Sequence, residues 1–237
     1  SAASDVYKRQ MEDRYFQTNI IDFSETKHDK STYSIFGGSI VLEGSTLNAR
    51  QFATQGSREK MAAQIFTGTE HFRSGASKVT KDTPEPYKKV QSWLQVSYQN
   101  ETYHKVSPKF TLGAYLEAYY SSRNFSNNYT ATLMQAGEFT PTAHSKVTYN
   151  EAFRANQYAG VGAMPIYQLS ESFQLRGEFY GFVPIFPIKK DEYGQAYYGK
   201  AFTKFEYLGE ISLVFQLSFG SISAYVNHYS SPSNDWN

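Results

Sequence analysis

The sequence predicts an all-β protein: an antiparallel transmembrane β-barrel, of which this chain supplies about ten strands. Three observations carry that expectation. The first is a period of two. In 203–219 the odd positions read Thr, Phe, Tyr, Gly, Ile, Leu, Phe, Leu, Phe, while the even positions include Lys204, Glu206, Glu210, Ser212, Gln216 and Ser218. Such alternation gives a strand one apolar and one polar face. The second is length: the best alternating runs reach eleven to seventeen residues, against about 5–6 for an average strand and about 9–11 for one that crosses a bilayer. The third is the connections, which divide into tight reversals and long, polar or Pro- and Gly-bearing segments, as on the two rims of a membrane barrel.

Strands are expected at 13–22, 33–47, 60–73, 90–104, 109–122, 129–140, 156–170, 173–185, 202–218 and 220–230, with no helix. In 110–120 one face is Phe110, Leu112, Ala114, Leu116, Ala118 and Tyr120; the other is Thr111, Gly113, Tyr115, Glu117 and Tyr119. In 173–183 Phe173, Leu175, Gly177, Phe179, Gly181 and Val183 alternate with Gln174, Arg176, Glu178 and Tyr180. The stretch REKMAAQIF (58–66) has helical propensity, but its neighbours read as extended. Reversals are expected at 170–172 and 219–221, and long connections at 74–89, 140–155 and 186–201. With ten strands, 74–89 falls on the rim where a short turn belongs. Small residues on the apolar face, Gly177, Gly181, Ala114, Ala118 and Gly209, suit contact with lipid better than an interlocking core.

Composition narrows the function classes. Lys and Arg number 23 against 22 Asp and Glu, a net charge of +1, so nucleic acid is not an expected partner. The absence of cysteine excludes a disulfide framework and thiolate metal sites. Twenty Tyr and 18 Phe make the chain rich in aromatics, yet no segment approaches the roughly 20 apolar residues of a membrane helix. Tyr119, Tyr120, Tyr129, Tyr197, Tyr198, Tyr225 and Tyr229 fall near strand ends, where interfacial girdles place Tyr. Residues 1–10 read as a non-native leader, and 11–237 as the partial barrel.

The segment TPTAHSKVTYNEAFRANQYAGVGAMPIYQLSESFQLRGEFYGFVP (140–184) resembles the C-terminal barrel of patatin-like phospholipases from Bacteroidetes-type bacteria, within the bacterial surface antigen superfamily that includes BamA and TamA. The likeness runs over about 13–237. FRANQY (153–158) falls where that superfamily has its [VI]RG[FY] loop motif; Phe153, Arg154 and Tyr158 match, while Ala155 and Asn156 depart from it. The resemblance implies a roughly sixteen-stranded barrel in the bacterial outer membrane. Four strands follow Arg154, and the chain stops at the polar SSPSNDWN, so the closing strand is expected to be missing. A loop carrying Arg154 into the lumen would meet a carboxylate there, since a buried unpaired charge is costly. Glu178 is the expected partner, with Glu206 and Glu210 as substitutes.

The implied role is an anchor or translocator with no catalytic residue of its own, with a patatin-like catalytic domain upstream. Expected partners are outer-membrane lipid and upstream domains of the same chain, with a homodimer allowed. No G-x-S-x-G nucleophile elbow occurs; GGSIV (37–41) and FGSISA (219–224) come nearest in letters. His28, His71, His104, His144 and His228 lack ligand spacing, so no metal and no cofactor are expected. Glu206 and Glu210 with Lys204 fit a lumen salt-bridge ladder better than an acid/base pair. Asn100, Asn124 and Asn128 stand in sequons, read here as polar turns. Two other readings remain: a soluble β-barrel or sandwich that binds a ligand, and a membrane barrel with its own lipid hydrolase site.

Overall fold

The computed structural model describes residues 2–15, 28–75, 87–126, 128–217 and 219–230. The chain is all-β apart from one short helix. In order, its elements are β1 (Ala2–Tyr15), β2 (Asp29–Ser45), β3 (Gly56–Arg73), β4 (Tyr87–Lys105), β5 (Phe110–Ser121), α1 (Tyr129–Gln135), β6 (Gly137–Glu138), β7 (Arg154–Ala155), β8 (Gln157–Gln168), β9 (Phe173–Pro184), β10 (Ile188–Lys190), β11 (Ala196–Tyr198), β12 (Glu206–Leu217) and β13 (Gly220–Tyr229). Nine strands form one sheet in the order β1-β2-β3-β4-β5-β8-β9-β12-β13, every neighbouring pair antiparallel. The sheet is open: β1 and β13 are its edges and do not pair with each other.

The alternation sets the faces. Along β12 the odd residues Tyr207, Ile211 and Leu213 are exposed, while Leu208, Glu210, Ser212 and Val214 are buried. In β9, Phe173, Leu175 and Phe179 are exposed while Gln174, Arg176, Tyr180 and Phe182 are buried. The exposed face continues through Leu112, Leu116, Val161, Leu94, Val96, Ile65, Met61, Ile40 and Leu42. The open face is therefore apolar along the middle of β2 to β12, with charges such as Glu12, Arg14, Glu59, Arg73 and Lys88 on β1 and toward strand ends, while the other face holds buried charges under a covering of loops.

The sheet curls toward its covered side. Ser221 of β13 donates a hydrogen bond of 3.4 Å to Gln51, in the connection between β2 and β3. From β3 to β13 are six strand spacings, roughly 29 Å if flat, whereas five residues of loop reach only about 16 Å. Contact therefore demands curvature.

Two differences from the sequence expectation are connected. The segment expected as a strand at 129–140 is α1 followed by the two-residue β6. Its sequence YTATLMQ does not alternate, and Asn128 caps it, accepting from the Ala131 N–H at 2.8 Å. Without that strand the rims sort themselves. Among the described residues, 46–55, 106–109, 169–172 and 219 lie on one rim; 74–75, 122–126, 128–156 and 185–205 lie on the other. The misplaced connection at 74–89 thus came from the extra strand. REKMAAQIF lies inside β3, as extended structure. The first strand starts at Ala2, within the segment read as a leader. The expected strand residues 16–22, the middle of the 74–89 connection and the polar end 231–237 lie outside the described residues.

Candidate functional site, a clasped loop on the covered face

The 122–156 connection is the longest on its rim and lies over the covered face. Within it β6 and β7 form a clasp, with Gly137 opposite Ala155 and Glu138 opposite Arg154. The clasp closes residues 139–153 into a loop, with short 3-10 turns at Ser145–Val147 and Glu151–Phe153.

Aromatic side chains root the loop. Phe139 and Phe153 are buried with Tyr158, Tyr180, Phe182 and Tyr229 in the main core. Ring centroids of Phe139 and Phe153 lie 5.5 and 5.6 Å from Phe182, distances at which aromatic pairs attract beyond their area burial. Gly160 makes the room: a Cβ there would run into the Phe139 ring. Beneath them, the Tyr158 hydroxyl donates to Glu117 at 2.6 Å and to the Glu138 carbonyl at 3.1 Å. Tyr115 also donates to Glu117.

Arg154 does not reach the wall carboxylates. Its Nη2 pairs with Glu138 Oε2 at 2.7 Å, its Nη1 donates to the carbonyls of Leu133 and Met134 at 3.2 and 3.4 Å, and its guanidinium lies 4.5 Å from the Tyr149 ring centroid. The guanidinium thus ties the end of α1 to the clasp. The expected partner Glu178 is instead 3.4 Å from Arg176 and accepts from the Tyr180 hydroxyl at 3.0 Å. Burial pushes the Tyr149 phenol above its usual range, and the Glu151 carboxylate adds to the rise.

The two substitute carboxylates do meet the loop, through other residues. Glu210 binds the His144 ring, which stacks on Tyr225. Glu206 lies 3.4 Å from Lys204 Nζ and accepts from the Ser230 hydroxyl; the same Nζ donates to the Ala152 carbonyl at 3.2 Å. Glu178 and Glu210 stand directly opposite each other on β9 and β12, and each has its own nitrogen partner, Arg176 for Glu178 and the His144 ring for Glu210.

Near β1 the loop is held a second way. Gln135 donates to Asp13 at 2.7 Å, and Arg123 lies over the rings of Trp93 and Tyr33 at 4.6 and 5.3 Å. Arg123 also donates to Gln135 at 2.8 Å. From Asp13 on the edge strand to Tyr225 at the far edge, the one connection bridges the curled sheet. The anchors Arg154, His144, Lys204, Gln135 and Tyr158 all hold this connection or its clasp. Among the described residues no group of three or more His, Asp or Glu side chains could hold a metal ion.

Sequence reasoning placed Phe153, Arg154, Tyr158, Glu178, Glu206 and Glu210 on or facing the loop but missed Glu138, His144 and Glu117. Glu117 had a signal, since it shares the polar face of its strand with Tyr115 and Tyr119. Glu138 was hidden by the false strand, and nothing in the spacing of His144 marks it. Compared with family models, curated proteins and solved structures, the chain matches none.

Proposed function

We propose that this chain is the membrane-embedded β-barrel domain of a bacterial outer-membrane protein of the surface-antigen type, serving as anchor or translocator for a patatin-like phospholipase domain upstream. One observation carries the membrane reading: the faces of the sheet are inverted relative to water. Ile211, Leu213 and Phe179 are 44, 43 and 51% exposed, whereas Glu210 and Arg176 are 3 and 2% exposed. A soluble sheet turns its apolar side to the core; a barrel in lipid does the reverse. Strands of 10 to 19 residues and the sorting of short and long connections onto opposite rims support the same reading. The surface-antigen and patatin assignments rest on the sequence resemblance at 140–184.

In this reading the sheet, completed at its two edges, satisfies its backbone groups in hydrocarbon. The clasped loop fills the interior and sets what passes. Among the described residues no helix is long and apolar enough to cross a membrane; in this reading the strands do the spanning.

The test is expression with an outer-membrane signal, followed by extraction. The protein should stay in membranes through alkaline carbonate and urea, enter solution only with detergent, and migrate differently on gels before and after boiling. A chain that is monomeric and folded in buffer without detergent overturns the proposal in favour of a soluble ligand-binding domain. Hydrolysis of phospholipid by the purified fragment would instead favour the barrel with its own hydrolase site.

A further inference from the structure

At the short-turn rim, on the covered side, the ends of β4, β5, β8, β9 and β12 surround a cavity of about 290 Å³, at the small end of ligand sites. Its lining is polar. Gln174 and Thr111 lie deep in it, 1 and 7% exposed, with Gln168, Glu171, Lys105 and Lys109 around them.

The hydrogen bonds already made decide what each amide can offer. Gln174 Oε1 accepts from Arg176 Nη1 at 3.4 Å, so its NH₂, with two donors, is the group left for the cavity. Gln168 is the opposite case. Its Nε2 donates to the carbonyls of Ser170 and Glu171 at 2.6 and 3.4 Å, which leaves its Oε1 as an acceptor. Gln168 and Gln174 are directly paired on β8 and β9, so the two complementary groups sit side by side. Lys105 and Lys109 add ammonium donors, and among the described residues neither is in an ion pair. Glu171 adds an acceptor. The cavity therefore offers donors to an anion and acceptors to hydroxyl groups.

We infer that this cavity binds a small phosphate ester carrying free hydroxyl groups, of sugar-phosphate size. The phosphate takes the Gln174 NH₂ and the two lysines, and a hydroxyl of the ligand donates to Gln168 Oε1. Charge-assisted bonds to phosphate supply the affinity, and the paired amides supply the preference for a hydroxylated ester over bare phosphate. This inference does not depend on the membrane reading, since the cavity lies on the covered face away from the apolar belt.

Isothermal titration of the full chain, in whichever medium holds it folded, tests it with four probes. Glucose 6-phosphate and glycerol 3-phosphate should bind saturably, at least tenfold tighter than glucose or inorganic phosphate. The exposed pair Lys105→Ala and Lys109→Ala should bring glucose 6-phosphate down to the level of glucose. Gln174→Met should weaken it at least tenfold, with an unchanged circular dichroism spectrum as the check on folding. Phosphatidylglycerol in nanodiscs presents the same ester as a lipid headgroup and should not compete. Competition by those nanodiscs, equal binding of glucose and glucose 6-phosphate, equal binding of inorganic phosphate, or no saturable binding at all, as expected of a mouth filled only by water, would each overturn the inference. So would affinity that neither the lysine pair nor Gln174→Met reduces.

Discussion

His144 Nδ1 lies 2.9 and 3.0 Å from the two carboxylate oxygens of Glu210, joining the middle of the clasped loop to the wall at β12. The Tyr225 ring stacks on the imidazole with centroids 3.3 Å apart. Glu210 is almost fully buried and faces Glu178 across the strand pair, so the imidazole sits where a carboxylate most needs a donor. Replacing His144 by Ala removes a hydrogen bond to a charged group, worth about 2 kcal/mol. Amide exchange in 139–153 should then quicken roughly 30-fold, while exchange in β3 and β4 stays as it was. Adding Glu210→Gln should recover part of the loss, because the stranded charge disappears. Unchanged exchange in the loop would show that the aromatic anchors alone hold it.

Arg154 and Glu138 should be energetically coupled, and Arg154 and Glu178 should not. A double-mutant cycle with Arg154→Met and Glu138→Gln should give about 1–2 kcal/mol of interaction in denaturant unfolding. The same cycle against Glu178→Gln should give a value near zero. Arg154→Lys should behave almost as badly as Arg154→Met: one ammonium cannot serve Glu138 and two carbonyls of α1 while covering Tyr149. Coupling to Glu178 of the same size would restore the contact expected from sequence.

Gly160 and Phe139 form a fitted pair, the absent side chain of one holding the ring of the other. Gly160→Val should cost about 1–3 kcal/mol by overpacking and push Phe139 out of the core. The exposed Lys146 on the same loop should then become a faster tryptic site. Phe139→Ala on its own should also destabilise, and the two changes together should cost less than their sum. Strict additivity would mean that the ring does not sit over Gly160.

The strands were legible because a period of two depends only on residue order; β5, β9 and β12 follow the alternation residue by residue. That Glu178, Glu206 and Glu210 share one face of the sheet followed from the same parity. What failed was pairing. Arg154 has three carboxylates on the wall and a fourth, Glu138, three residues beyond the end of α1, and only the fold of 139–153 tells which lies 2.7 Å away. That fold depends on a seven-residue helix whose signals, an Asn cap and a lack of alternation, are weak beside the apolar content of TATLM. The cost of missing it was non-local: one false strand reversed the rim of every connection that follows it relative to those before it.

Leu213 offers the sharpest separation of lipid from water. It stands mid-strand on the open face, opposite Leu175 on β9 and Ala224 on β13, and is 43% exposed. On the surface of a soluble protein Leu213→Arg changes stability by only about 0.5 kcal/mol or less. At the midplane of a bilayer the same change costs about 2–4 kcal/mol. Refolding into phosphatidylcholine vesicles, read by the gel shift between folded and boiled forms, should therefore fall by one to three orders of magnitude in equilibrium constant. Ser223→Arg, on the covered side of β13 opposite Val214, should be tolerated far better, since a cation on that face is kept away from the acyl chains. If both variants insert equally well, the apolar belt is not in contact with hydrocarbon, and the anchor reading fails with it.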